Sequence, residues 1–273
     1  MRLLTATLTA LVLTAHSVSA QSGSLIDRYF AAFDMDQVLE LLKEEGIKAG
    51  EGLTEDDGVI LSPAWTARLR RIYDEDKAAE LFRDAMEDIA NIEASEPAIA
   101  FFESDLGQRI VQIELDARRA LNAEGGEELA AAKVRDVRDN DPALYLMYQK
   151  FIEVNDLIES NVMGALNSNL AFYQGMATNE QYEEGLTDSF MLSTVWEQEP
   201  EIREEMEEWT INFSVMAYGA LSKSEIQAYI DISDTDAGKK LNTALFAGFD
   251  AMFEAQSYEL GRATAEFMLG EDT

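Results

Sequence analysis

No cysteine occurs in this sequence of 273 residues, and its single histidine is His16. Residues 1–20 have the form of a secretory signal. Arg2 gives a short basic start, Leu3 to Ala15 is apolar, and Val18-Ser19-Ala20 suits cleavage before Gln21. Cleavage after Ala20 would remove His16 and leave a mature chain, periplasmic or secreted, with neither histidine nor cysteine. A retained membrane anchor is the alternative, disfavoured because the apolar stretch is short and small residues follow it. Thiol catalysis, disulfide staples, zinc sites, Ser-His-Asp triads and histidine general bases then have no residues to work with. Without cysteine there is no site for an N-terminal lipid anchor either.

Basic residues are scarce, with 21 Lys and Arg against 53 Asp and Glu and a formal net charge of −32. Nucleic acid is not expected as a partner, because phosphate binding depends on cationic side chains displacing counterions. An anionic membrane surface is disfavoured for the same reason. A well-solvated acidic surface is the ordinary reading of the charge, and capture of cations or of a basic protein is the sharper one. Long apolar runs are missing beyond residue 20, so after signal cleavage the chain is not expected to be an integral membrane protein.

Nucleotide-binding and hydrolase motifs are also missing: no Walker-type loop, no dinucleotide glycine fingerprint, no Ser-x-x-Lys, no Gly-x-Ser-x-Gly and no His-Glu-x-x-His. Two carboxylates can hydrolyse glycosides without histidine, but among 53 acidic residues nothing singles out a pair. The clusters Glu55-Asp56-Asp57, Asp136 to Asp141, and Asp231 with Asp234 and Asp236 lack the spacing of a helix-loop-helix calcium loop. Helix caps and solvated loops explain them more simply. No catalytic residue, cofactor or metal is assigned.

What is present is helical. The four prolines, Pro63, Pro97, Pro142 and Pro200, stand at or near helix starts, where a missing amide costs nothing, and strand-like alternation is scarce. Leu25, Tyr29, Ala32 and Phe33, then Met35, Val38, Leu39 and Leu42, recur at helical spacing and lead to a predicted loop through Gly46, Gly50 and Gly52. Asp56-Asp57-Gly58 reads as a turn. Trp65, Leu69, Ile72 and Tyr73, continued by Leu81, Phe82, Met86 and Ile89, form the next stripe. Arg68, Arg70, Arg71 and Lys77 beside it are the most basic patch in the chain. Ion pairing with Asp74, Glu75, Asp76 or Glu80 is favoured there over an anion site. A single helix about 50 Å long is expected from Pro142 to about Met176, with a break possible at Gly164, Asn167 or Asn169. Its aromatic stripe reads as core, the alternative being a tunnel for an apolar ligand. Further helices are expected around Thr187 to Thr194, from Glu199-Pro200, after the capping-box pair Ser222 and Glu225, and to the end through Leu241, Phe249 and Phe267.

One unit occurs twice without a gap, at Pro97 to Ile110 and again at Ala228 to Leu241. In each, an apolar helical segment meets Ser104 or Thr235, then Asp105 or Asp236, then Gly107 or Gly238 and a polar-basic pair. The hydroxyl residue suits an N-cap, the aspartate suits the positive end of the helix dipole, and glycine in a first turn points to close approach by neighbouring backbone. The same offset pairs Trp65 with Trp196 and Phe82 with Phe213. These six residues, Ser104, Asp105, Gly107, Thr235, Asp236 and Gly238, are the structural motif of the chain.

The stretch Phe101-Phe102-Glu103-Ser104-Asp105-Leu106-Gly107-Gln108-Arg109 resembles the signature of a bacterial extracytoplasmic family, domain of unknown function 2059. The segment from Leu221 to Lys240 looks like a second copy, with Asp105 and Asp236 where the family often has proline and Ser233 in place of the second aromatic. The resemblance implies a secreted, all-helical protein and supplies no catalytic residues. The expectation is an all-α helical bundle built from two related helical-hairpin halves, 21–140 and 141–273, after a signal peptide at 1–20. It would act as a non-enzymatic interaction or envelope-associated module with an unidentified protein partner. The alternatives are a carrier holding an apolar molecule between the halves, lined by Tyr145, Tyr148, Phe151, Phe172 and Tyr173, and an Asp/Glu-dependent hydrolase.

Overall fold

The computed structural model describes residues 24–56, 62–179 and 185–268, so the predicted signal and the Asp57-Gly58 part of the predicted turn lie outside the described residues. Every regular element among these residues is helical. Helix α1 (Leu25–Ala32) opens with a reciprocal cap: the Asp27 amide donates to Ser24 Oγ and the Ser24 amide to the Asp27 carboxylate, each at 3.1 Å. Asp34, at φ 49°, separates it from α2 (Met35–Asp56).

The loop expected after Leu42 is helix instead. Gly46 and Gly50 lie against the helix that follows, α3 (Pro63–Ile72), and a Cβ at either would overlap the Tyr73 ring or the Leu69 side chain. Trp65 Nε1 donates to Gly50 O at 3.0 Å, and Trp65 and Leu69 are fully buried. Each mid-helix glycine costs about 1 kcal/mol of propensity, whereas burying one large apolar side chain returns roughly 1.5–3 kcal/mol. Packing therefore overrides the glycine signal.

At Tyr73-Asp74 the stripe from Trp65 to Ile89 divides, and α4 (Glu75–Glu87) begins where the Asp74 carboxylate accepts from the Lys77 amide at 3.1 Å. A 3-10 turn (Ile92–Ser95) leads into α5 (Glu96–Phe102), α6 (Asp105–Leu121) and α7 (Gly126–Asn140).

The single long helix expected from Pro142 is two, α8 (Pro142–Val154) and α9 (Leu157–Met176). The break falls at Asn155-Asp156, not at Gly164, Asn167 or Asn169. Asp156 is left-handed at φ 49°, a conformation that aspartate tolerates, and the buried Asn155 amide donates to Phe151 O at 2.9 Å. After α10 (Asp188–Glu197), α11 (Glu199–Tyr218) and α12 (Lys223–Ser233), the longest helix is the last, α13 (Asp236–Met268), whose 33 residues span about 50 Å.

Helices α9 and α13 run parallel, with Asn242 donating to Asn155 O at 2.7 Å near one end and Gly261 against Phe172 near the other. A Cβ at Gly175 or Gly261 would collide with backbone of the facing helix, so this crossing is closer than side chains allow. Helix α11 returns antiparallel to α9, as Asn169–Gln198 and Glu159–Arg203 contacts show, and lies antiparallel to α6 as well. The main apolar cluster runs from Ile26 to Met252 and takes residues from both expected halves. A second joins Trp65, Leu69 and Ile72 to Leu260 and Ala263 of α13, and a third joins Val162 and Leu166 of α9 to Val195 of α10.

Candidate functional site

The two motif junctions have the same local geometry. At the α5–α6 junction, Ser104 Oγ donates to Phe101 O at 2.5 Å and accepts from the Gly107 amide at 3.2 Å. At the α12–α13 junction, Thr235 Oγ1 donates to Ile232 O at 2.6 Å and accepts from the Gly238 amide at 3.0 Å. Gly107 and Gly238 are both buried in the elbow, where a Cβ would strike Phe101 O or Ile232 O. Asp105 and Asp236 stand in the first turns of α6 and α13, beside unpaired amides of the helix start. Outside the elbows the two segments differ: Trp65 is fully buried, whereas Trp196, at the same offset, is 57% exposed.

The motif residues tie elements together. Gln108 donates to Ala32 O and Phe102 O, both at 2.8 Å. Arg109 reaches from α6 to the start of α12, pairing with Glu225 at 2.6 Å and donating to Ala220 O at 2.6 Å. Lys240 in turn reaches Ala90 O at 3.1 Å.

Next to this framework lies a group that sequence reading missed. Glu114, on α6, is half-buried as a residue, but its carboxylate is enclosed, accepting from Tyr218 at 2.7 Å and from Tyr229 at 3.2 Å. Burial pushes its pKa from the ordinary 4.5 up to about 7, and the two tyrosine bonds hold it back only in part. Burial and the neighbouring carboxylate hold the Tyr218 and Tyr229 hydroxyls well above their usual range. The rings of Tyr148, Phe151, Tyr218 and Tyr229 contact one another, with Phe102 against Tyr229 and Phe33. The buried hydroxyls of Tyr29 and Tyr148 have no hydrogen-bond partner among the described residues. The available signal was positional: Glu114 falls four residues after Ile110 and three before Ala117, on the stripe that turns inward.

Chemically this is a lone protonatable carboxylate among phenols. Desolvation and the two tyrosines perturb it, and no second carboxylate contributes, so it does not form the carboxylate pair that glycoside hydrolysis uses. Four of the five aromatic residues suggested as a ligand tunnel are divided among three apolar clusters. Tyr148 and Phe151 belong to the main cluster, Phe172 packs on the Trp65 cluster and Tyr173 on the Val162 cluster. Of the acidic clusters, the side chains of Glu55-Asp56-Asp57 lie outside the described residues. Asp141 caps α8 and pairs with Lys223, Asp234 pairs with Lys239, and Asp231 accepts from Gln227. Among the described residues, no three acidic side chains are grouped to hold a metal ion, and no helix is long and apolar enough to cross a membrane.

The basic patch departs from expectation. Arg68 pairs with Glu266 of α13 at 2.9 Å, not with a neighbour in sequence. Glu75 pairs with Lys43, Asp74 caps α4, and Arg71 and Lys77 make no ion pair among the described residues. Asp74 and Glu75 are committed to starting α4 and holding α2.

No curated protein and no solved structure matches the chain. A family model covers α4 to most of α7, including Ser104, Asp105, Gly107 and Glu114, and does not extend to Thr235, Asp236 and Gly238. Residues 76–136 match the model of a family described as "uncharacterized protein conserved in bacteria", domain of unknown function 2059, and over that segment the chain is similar to it.

Proposed function

We propose that the chain is an extracytoplasmic, non-enzymatic interaction module of two related halves, and that α10 docks a protein partner. One observation carries this reading: within the ten residues of α10, Phe190, Leu192 and Trp196 are 49%, 46% and 57% exposed. Leu192 and Trp196 stand one turn apart, while Met191 and Val195 are the residues of α10 that reach the core. Tryptophan carries much of the energy in protein interfaces, and an apolar group rimmed by charge marks a docking site more often than a solvated face. Exposed Glu201, Glu204, Glu205, Glu207 and Glu208 follow on α11, so the complementary partner offers an apolar groove edged by basic side chains. The signal-like pattern of residues 1–20 supports an extracytoplasmic setting. The dispersal of the tunnel residues and the solitary state of Glu114 weigh against the carrier and hydrolase readings.

The test places a photo-crosslinking side chain at position 192, 196 or, as a control, 231, in intact cells. One protein crosslinked from 192 and 196 but not from 231, and lost from 192 when Trp196→Asp is added, is the expected result. Self-links alone, or the same products from all three positions, would overturn the reading.

A further inference from the structure

A cleft of about 260 Å³ opens between the C-terminal end of α3, the start of α4 and the last third of α13. Four cations line it: Arg68 and Arg71 from consecutive turns of α3, Lys77 from the first turn of α4, and Arg262 from α13. Only 21 basic residues occur in the whole chain, so four in one cleft is a strong local reversal of the −32 background. Two carboxylates partly neutralise them. Arg262 pairs with Glu259 at 2.6 Å and with Glu266 at 3.1 Å, and Arg68 shares Glu266 at 2.9 Å. Arg71 and Lys77 remain without a carboxylate partner among the described residues. The balance is two positive charges.

The ion pairs also set direction. Glu266 holds both Arg68 and Arg262 from the α13 side, so their guanidinium groups are fixed by bonds already made. Among the described residues the side-chain donors of Arg71 and Lys77 make no bond. Ile72, Ala78, Leu81 and Ala255 supply apolar wall beside the charges. A fully hydrated ion needs no such wall, whereas an anion carrying a short hydrocarbon body does.

We propose that this cleft binds a phosphate monoester: a dianionic head matched to the two uncompensated charges of Arg71 and Lys77, with an apolar substituent against Ile72 and Leu81. Arginine's planar fork suits tetrahedral oxyanions, and lysine adds a point charge from the adjoining helix. The same head can be carried by a free small molecule or by a phosphatidic acid headgroup in a membrane. The site is separate from the α10 surface and does not depend on it.

The experiment uses the full chain and calorimetric titration with hexyl phosphate, inorganic phosphate and hexanol, together with sedimentation of vesicles of phosphatidylcholine with and without one-fifth phosphatidic acid. Hexyl phosphate is expected to bind at least tenfold more tightly than inorganic phosphate, and hexanol not at all. Affinity should fall with added salt. The double variant Arg71→Gln/Lys77→Gln should lose at least tenfold, with its helical circular dichroism unchanged because neither side chain holds the fold. Arg138→Gln, on α7 away from the cleft, should bind as the parent does. Hexyl phosphate binding without vesicle retention assigns a soluble ligand. Retention on phosphatidic acid vesicles that the double variant abolishes assigns the lipid headgroup. Absence of hexyl phosphate binding at millimolar concentration, or binding unchanged in the double variant, overturns the proposal.

Discussion

At the scale of single residues, Glu114 is the side chain with the most to reveal. Its carboxylate is enclosed and meets only the hydroxyls of Tyr218 and Tyr229. Its folded pKa, about 7, lies above the ordinary 4.5, so between these values the folded chain holds a proton that the unfolded chain has released. The stability associated with neutral Glu114 is therefore complete below about pH 4.5 and is lost as pH rises through about 7. The loss is up to about 3 kcal/mol. Glu114→Gln, which keeps an acceptor for the two tyrosines but cannot ionise, should match the parent at pH 4 and exceed it in denaturation midpoint at pH 8. Equal midpoints at both pH values would mean that Glu114 titrates normally. Asp27, Glu103, Asp141, Glu225 and Asp234 are shifted downward, and their contribution is lost in the opposite direction as pH falls. Comparing variant with parent cancels them.

At the scale of elements, the two elbows decide how consecutive helices meet. Ser104 and Thr235 each satisfy an amide of the following helix and a carbonyl of the preceding one. Ser104→Ala and Thr235→Ala should each cost about 1 kcal/mol in chemical denaturation, the usual worth of an N-cap. Gly107→Ala and Gly238→Ala should cost more, about 1–3 kcal/mol, because the added methyl meets backbone oxygen that cannot turn aside. A stabilising alanine at either glycine, as helix propensity alone would give, would contradict the close approach. Spacing made these elbows legible in the sequence, since serine or threonine, aspartate and glycine at fixed positions each have a local physical reason. The glycines of α2 misled for the opposite reason. Gly46 and Gly50 look like loop formers until Tyr73 and Leu69 are seen against them.

At the scale of the whole molecule, the main apolar cluster joins Ile26, Phe82 and Ile110 to Tyr218, Ile226 and Met252, drawing on both sides of residue 141. Arg109–Glu225 and the Phe102–Tyr229 ring contact bind the two sides further. Cooperative loss of such a shared core makes one unfolding transition the expected outcome, with fluorescence and far-ultraviolet circular dichroism coincident. The separated segment 21–140 should lack a cooperative transition, because it leaves the faces of α1, α5 and α6 without Tyr218, Tyr229 and Met252. Two resolved transitions, or a stable segment, would show two independent units.

The all-helical class, the starts at Pro63, Pro142 and Pro200, the capping box at Ser222 and the family segment were settled by the sequence, because each depends on neighbours within about a turn. The break at Asn155-Asp156, the passage of α2 through three glycines, the enclosure of Glu114 and the partner of Arg68 depend on residues dozens to hundreds of positions away. Those were decided only by tertiary structure, since a side chain's dielectric surroundings and the free partners of a charge exist only once distant helices have packed together.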